Sequence, residues 1–183
     1  MRTAPALLIA LVLALTGCMP DDDPIRPDPS PTSAPIFASD DEALAAAEEA
    51  YRAYVEISDV ILHEAGAESD RALDLVTDGF REEAASGFLL FAERQWRSEG
   101  ATTFDSATLQ QYSDDGNGAV QIVLYLCLDV SETRIIGSDG SDVTPAARNP
   151  RLPLVVEMVN SADYSVDLLQ AGSEVWSGND YCV

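Results

Sequence analysis

The chain has 183 residues, a length that suits one domain, and 46% of them are apolar, which is enough to build a core. It carries 32 acidic residues against 10 arginines and no lysine, for a formal net charge of −22. A phosphate backbone is bound by clustered Lys and Arg, so this charge argues against nucleic acid as a partner. The absence of lysine excludes Schiff-base chemistry and a phosphate-loop lysine.

The first residues of the chain have the pattern of an export signal. Arg2 precedes an uninterrupted apolar run at residues 6–15. A membrane-spanning helix needs about 20 apolar residues, so this run is too short to serve as a permanent span. The run ends in Leu15, Thr16, Gly17 and Cys18, a motif that resembles the lipobox of bacterial lipoproteins.

The lipobox resemblance implies transfer of a diacylglyceryl group to the sulfur of Cys18 and cleavage just before it. An ordinary signal peptide that contains a cysteine is the alternative. Two acyl chains hold a protein at a bilayer, since each buried methylene contributes about 0.8 kcal/mol. We therefore expect residues 1–17 to be a signal peptide and Cys18 to anchor the chain at the extracytoplasmic face of the cell membrane.

The lack of lysine beside abundant alanine and arginine is consistent with an actinobacterial lipoprotein from a GC-rich genome.

Residues 18–38 have the composition of a tether. Six prolines and four aspartates fall within residues 19–35. Proline fixes φ and has no amide donor, so this stretch favours extended polyproline II over helix or sheet. At about 3.1 Å per residue it could hold a domain as far as roughly 50 Å from the membrane. We expect the folded domain to cover residues 39–183.

Helical signals open that domain. Ser39 and Glu42 form a capping box, and apolar residues then recur at helical spacing as far as Ala65, before Gly66 as a C-terminal cap. A short second helix is predicted at residues 70–76. A third is predicted at residues 80–98, ending at Gly100, with apolar residues on more than one face and therefore packed on two sides.

After Gly100 the apolar period changes to two. Residues 102–112 and 119–130 flank an Asp- and Gly-rich turn and are predicted to pair as a hairpin. In the second of these strands Ile122, Leu124 and Leu126 share one face, while Tyr125 and Cys127 share the other. Further strands are predicted at residues 133–136, 151–160, 164–169 and 174–177, with turns between them.

Helices followed by antiparallel strands indicate an α+β fold, with N-terminal helices packed on one face of a curved antiparallel sheet. This cone-like order resembles the nuclear-transport-factor-2-like fold across residues 39–177. A cystatin-like arrangement of helix on sheet is the alternative.

Cysteine usage predicts one disulfide. With Cys18 lipidated, Cys127 and Cys182 remain as an even pair in an exported protein, and such pairs usually oxidise. The bridge would tie the C-terminal tail to the middle of a strand. A nucleophilic cysteine would need an electropositive neighbour, and the sequence offers none nearby.

The sequence contains no catalytic, metal or cofactor signature. His63, the one histidine, is predicted to face water, and no zinc motif occurs. The acidic stretches that begin at Asp115 and Asp139 lack the acid that a calcium loop requires at its twelfth position, so they are interpreted as hairpin turns. Five aspartates are candidates for a paired-carboxylate site: Asp59, Asp105, Asp129, Asp163 and Asp167.

Two hypotheses for the function remain. The first is a lipid-anchored envelope protein whose non-catalytic domain binds a protein or a small ligand. The second is a cone-fold enzyme or apolar-ligand binder with a cavity lined by Tyr125 and Asp129, which share a strand face. A cavity of about 300 Å³ or more with these side chains pointing inward would favour the second reading.

Overall fold

The computed structural model describes residues 34–161, 166–178 and 181–182, and all structural statements concern these residues. Three helices come first: α1 (Asp40–His63), α2 (Asp70–Leu73) and α3 (Arg81–Arg94). The strands are β1 (Arg97–Glu99), β2 (Thr103–Asp114), β3 (Val120–Asp129), β4 (Arg134–Ile136), β5 (Arg151–Asn160) and β6 (Leu168–Val175). Four of them form an antiparallel sheet in the order β2-β3-β5-β6, and β1 pairs with β4 beside it.

Helix α1 begins at the predicted cap. The Ser39 hydroxyl accepts a hydrogen bond from the amide of Glu42 (3.2 Å), whose carboxylate accepts one from the amide of Ala38 (2.8 Å). The first contact satisfies an amide that a helix start leaves without an intrahelical partner, and the second ties the residue before the cap to the first turn. At the other end Ala65 and Gly66 both have left-handed φ, and the Gly66 amide donates to the carbonyl of Ile61 (2.8 Å). The helix therefore ends close to the predicted position.

The main core lies between α1 and the sheet. Ala43, Ala47, Tyr51 and Val55, four residues apart, form the buried stripe of α1. They pack against the inner face of the sheet, whose fully or nearly fully buried residues are Ile122, Leu124, Leu126, Val156 and Met158. Strand β3 is central, between β2 and β5, and the predicted face of Ile122, Leu124 and Leu126 is the one that meets the core.

Bulges curve this sheet. The register of β2 against β3 shifts between Asp105 and Thr108 and again between Leu109 and Gln111. An extra residue in one strand bends it and increases its twist. With α1 on one face, and α2 and α3 packed against α1, the predicted α+β arrangement of helices on a curved antiparallel sheet is confirmed.

The prediction for the third helix is wrong at its end and in its packing. Helix α3 stops at Arg94, Gln95 takes a left-handed conformation (φ 53°), and residues 97–99 form β1 against β4. A pairing with residues more than thirty positions away leaves no local trace in the sequence. Only one side of α3 is covered: Phe88 is buried, whereas Leu89 is 56% exposed.

Two further boundaries differ from the prediction. Helix α2 ends at Leu73 because Val76 bridges to Gln170, whose amide donates to the carbonyl of Leu75 (3.0 Å). The predicted turn at residues 170–172 is wrong, since these residues lie inside β6. Gln170 pairs with Met158 and Gly172 with Glu157, which leaves Ala171 as a bulge. The strand predicted at 164–169 lies partly outside the described residues.

The start of the described chain joins the core. Phe37 is buried, and the amide of Ile36 donates to the Asp114 carboxylate (2.9 Å). Residues 1–33, including Cys18, lie outside the described residues. In the part that is described, no helix has both the length and the apolar character needed to cross a membrane.

Candidate functional site

The outer face of the sheet is closed by the C-terminal tail. The predicted disulfide is confirmed: Cys127 and Cys182 are bonded, with their Cα atoms 5.5 Å apart. The ring of Tyr125 lies 5.5 Å from that of Trp176 and 5.7 Å from that of Tyr181. The Tyr181 hydroxyl also forms a hydrogen bond of 2.7 Å with the hydroxyl of Thr108. Tyr125 is therefore occupied in an aromatic cluster on the face of the sheet opposite α1.

The predicted cavity lined by Tyr125 and Asp129 is wrong, because both side chains point away from the helices. Asp129 accepts a hydrogen bond from the Ser131 amide (2.8 Å) and pairs with the guanidinium of Arg151 (2.7 Å). The Ser131 contacts first, and then Arg151, lower the pKa of Asp129 to about 2. A carboxyl group with so low a pKa is a weak base, so it does not suit general base catalysis near neutral pH.

Arg151 also brings together two of the candidate aspartates. Its second guanidinium nitrogen lies 2.8 and 2.9 Å from the two oxygens of Asp105, and this contact lowers the pKa of Asp105. Both carboxylates thus share one cation at the surface, which ties β2, β3 and β5 together. The arrangement stabilises charge on both acids, whereas acid and base catalysis needs their pKa values pushed apart. Asp163 lies outside the described residues.

The other candidates have structural roles. His63 is exposed, as predicted, and its Nε2 donates to the carbonyl of Gly100 (2.8 Å). The stretches at Asp115 and Asp139 are turns whose carboxylates accept backbone amides, from Asn117 (2.8 Å) and Ser141 (3.0 Å) respectively. Among the described residues no group of three His, Cys, Asp or Glu could hold a metal ion.

Free space occurs where α1 meets α3. A pocket of about 310 Å³ lies between these helices and one end of the sheet, and we call it the α1–α3 pocket. Its walls come from α1 at positions 51, 54, 55, 58, 59 and 62 and from α3 at positions 84, 87, 88 and 91. Both sets follow the three- and four-residue spacing of one helical face. Thr102, Leu128 and Val130 close the pocket from the sheet.

The walls are mainly aromatic and aliphatic. Tyr51, Tyr54, Phe88 and Phe91 contribute rings, and the rings of Tyr51 and Tyr54 are stacked with their centroids 6.4 Å apart. Burial raises the pKa of Tyr51 and that of Tyr54. Both phenols therefore stay protonated and uncharged over the physiological pH range.

Two polar side chains of α1 face this pocket. Both oxygens of Asp59 accept hydrogen bonds from Thr102, from its amide and from its hydroxyl, each at 2.7 Å. The Ser58 hydroxyl is buried beside the Tyr54 phenol, where it lowers the Tyr54 pKa against the larger effect of burial, but the two groups do not reach full hydrogen-bonding geometry. An unsatisfied buried hydroxyl costs free energy unless something bonds to it, so Ser58 marks a position suited to a bound group.

Two larger depressions lack these features. One of about 530 Å³ surrounds the β2–β3 turn, where the Asp114 and Asp115 carboxylates already accept backbone amides. One of about 890 Å³ runs along α1 beside residues 166–169, with the exposed Val166 on its rim. Neither contains a buried polar atom that lacks a partner among the described residues.

Asp59 is one of the five candidate aspartates, but its position was not predicted from the sequence, and neither was the pocket. The available signal was a pair of polar residues, Ser58 and Asp59, close to the apolar stripe of α1. Since polar residues inside such a stripe also occur in ordinary amphipathic helices, the pattern alone did not locate a site.

No family model matches the chain, and no curated protein matches it. Among solved structures, the intermembrane space region of the chloroplast protein ARC6 is similar with a TM-score of 0.51 and 12% identity, over 74% of this chain and 97% of that chain. A periplasmic fragment of TraM has a TM-score of 0.45 and 11% identity, over 75% and 96%. A structure from Catenulispora acidiphila in complex with S-DNPA has a TM-score of 0.43 and 18% identity, over 72% and 90%. The similarity to the ARC6 region concerns the fold alone.

Proposed function

We propose that this chain is a lipid-anchored extracytoplasmic protein whose folded domain is a non-catalytic binding module, with the α1–α3 pocket as its binding site. The chemistry of that pocket carries the proposal. Its carboxylate is held by Thr102 and its two phenols are kept protonated. A pocket with aromatic rings, a carboxylate of fixed orientation and a buried hydroxyl is equipped to bind a ligand, while its groups lack the paired acid and base that catalysis of proton transfer needs.

The disulfide supports a location outside the cytoplasm. Bonds such as Cys127–Cys182 persist in oxidising compartments and are rare where thiols are kept reduced. The fold is compatible with that location, because the ARC6 region that it resembles is an intermembrane space domain by its name. Both observations concern the domain and are independent of its N-terminal segment.

The resemblance of Leu15 to Cys18 to a lipobox supports membrane attachment. A diacylated Cys18 would hold the chain at the bilayer, and the Pro- and Asp-rich tether would keep the acidic domain away from anionic headgroups. In this proposal the membrane is reached through the lipid alone. The partner of the domain is a protein of the envelope or a small ligand, and nucleic acid is not among its partners.

The anchor is tested by comparing the full chain with Cys18→Ser in a bacterial host that processes lipoproteins. We expect the unmodified chain in the membrane fraction, with an intact mass that lacks residues 1–17 and includes a diacylglyceryl group. The Cys18→Ser chain is expected to leave that fraction, and Ser30→Ala in the tether serves as the matched control that stays. Equal membrane association of the Cys18→Ser chain, or retention of residues 1–17 in the unmodified chain, contradicts the anchor.

A further inference from the structure

We propose that the α1–α3 pocket binds a small organic amine, a single positive charge on an apolar body of one or two rings. The inference deepens the proposed function and rests on it only in taking this pocket as the binding site. Its basis is the side-chain chemistry of the pocket walls, in particular Asp59, Ser58 and the surrounding rings.

Asp59 supplies the charge that an amine requires. Its carboxylate is the one charged side chain among the pocket walls, and it takes part in no ion pair between described residues. Each oxygen accepts one hydrogen bond from Thr102, and a carboxylate oxygen can accept a second. The two Thr102 bonds fix the orientation of the carboxylate and leave it acceptor capacity for an N–H group of a ligand.

Ser58 and the rings complete the match. The Ser58 hydroxyl precedes Asp59 in the chain and lies beside the Tyr54 phenol without a full hydrogen bond, so its oxygen has the capacity to accept a second ammonium hydrogen. Tyr51, Tyr54, Phe88 and Phe91 line the same space. The faces of aromatic rings attract cations, and their apolar surface accommodates the body of the ligand.

Charge distinguishes an amine from an acid of the same shape. The chain has a net charge of −22, and no arginine lies among the pocket walls. An anion would therefore meet Asp59 without a cationic partner, whereas a cation is drawn towards the protein by its overall field. Size sets the upper limit: a cavity of about 150 Å³ holds benzene, so the 310 Å³ here suits one or two rings.

The test uses three probes that differ only in one substituent on the same ring position: naphthylmethylamine, naphthylmethanol and naphthoate. Each is titrated into the full chain in detergent by calorimetry, with empty micelles as the blank. We expect the amine to bind about 10- to 100-fold more tightly than the alcohol, the range for a hydrogen bond to a charged group, and naphthoate to bind least. Equal affinities for amine and alcohol, tighter binding of naphthoate, or no binding of any probe overturns the inference.

Two pairs of variants assign the effect to the pocket. Asp59→Asn is expected to remove the preference for the amine, while Glu56→Gln, which removes one charge from the exposed side of α1, keeps it.

Gly87→Leu is expected to abolish binding of both amine and alcohol. The Gly87 Cβ position has no atom within 4 Å, so a side chain can start there without a clash and a leucine would extend into the free space at the pocket wall, while the helix gains a better former. Ser86→Leu, next to it and outside the pocket walls, is expected to bind normally.

These outcomes separate the inference from the proposed function. If the alcohol binds more tightly than the amine and Gly87→Leu abolishes its binding, the pocket is retained as a binding site and the inference that its ligand is an amine is overturned. Preference for the amine that survives Gly87→Leu would place the amine elsewhere and overturn the inference. Membrane attachment through Cys18 is read out by fractionation and does not depend on either result.

Discussion

The two faces of the sheet are covered by different means. On the inner face, Ile122, Leu124 and Leu126 meet a whole helix, and burial of apolar surface holds the layers together. On the outer face of the same strand, Tyr125 and Cys127 meet a short tail that is fixed by one disulfide and a cluster of rings. The few residues of the tail have too little apolar surface to stay in place by burial alone, so a covalent bond holds them where buried apolar area does not.

This difference explains where the candidate site lies. The inner face is filled by α1, and the described part of the tail occupies the outer face around Tyr125. The α1–α3 pocket lies away from both covers, between α1, α3 and one end of the sheet.

Removal of the disulfide has the largest expected effect. The two cysteines are 55 positions apart, and closing a loop of that size contributes about 4 kcal/mol in the chain-entropy model. We expect Cys127→Ala combined with Cys182→Ala to lower the free energy of unfolding by roughly this amount and to expose Trp176. Urea unfolding followed by tryptophan fluorescence measures both, and an unchanged midpoint would show that the rings alone hold the tail.

Truncation on the inner face comes next. Leu124 is fully buried, and removing such a side chain to alanine typically costs about 2–5 kcal/mol. The matched control is Val123→Ala, the neighbouring position on the outer face, which is half-buried and is expected to cost about 1 kcal/mol. Equal losses at the two positions in urea unfolding would contradict the division between the faces.

A third variant opens the contact between α1 and α3. A Cβ on Gly66 would lie 2.3 Å from the carbonyl oxygen of Phe88, and the glycine has φ +80°. Gly66→Ala is therefore expected to cost about 1–3 kcal/mol in thermal unfolding. Gly79→Ala is the control, because nothing lies closer than 4.0 Å to its Cβ position. A stable Gly66→Ala protein with an unchanged pocket would disprove the close packing of these helices.

The acid dependence of the outer face has the smallest expected effect. The pKa of Asp129 is lowered to about 2 in the folded chain, so its contribution to stability is present above the unfolded value of about 3.9 and is lost as pH falls through about 2. Carbon NMR of the carboxyl group should show a midpoint near 2. In Arg151→Gln the midpoint should rise but stay below the usual value, because the Ser131 contacts remain. A midpoint of about 4 in the unmodified chain refutes the assigned contacts.

The sequence predicted the elements whose signals are local. Alternating apolar residues placed β3 and separated its two faces, the Ser39 cap predicted the start of α1, and cysteine parity predicted the disulfide. The predictions for residues 97–99 and 170–172 were wrong because strand pairing decides both segments. Residues 97–99 pair with residues 134–136, and Gln170 and Gly172 pair with Met158 and Glu157, while helical spacing or a glycine in a short window does not reveal such partners.

The prediction of a cavity lined by Tyr125 and Asp129 was wrong for a related reason. Periodicity assigns a residue to a face, and it placed Tyr125 and Asp129 together correctly. It does not say what covers that face, and here the tail and Arg151 occupy it. The α1–α3 pocket arises from the gap between two helices, and a gap depends on crossing geometry that neither helix encodes alone.

The most direct measurement is a titration of the isotope-labelled full chain with naphthylmethylamine, followed by two-dimensional NMR of the backbone amides. The account predicts that signals of Ser58, Asp59 and Phe88 shift with a common saturation curve while those of Tyr125 and Trp176 stay in place. Shifts centred on Tyr125 and Trp176, with the α1 and α3 signals unmoved, would contradict it and assign binding to the outer face of the sheet.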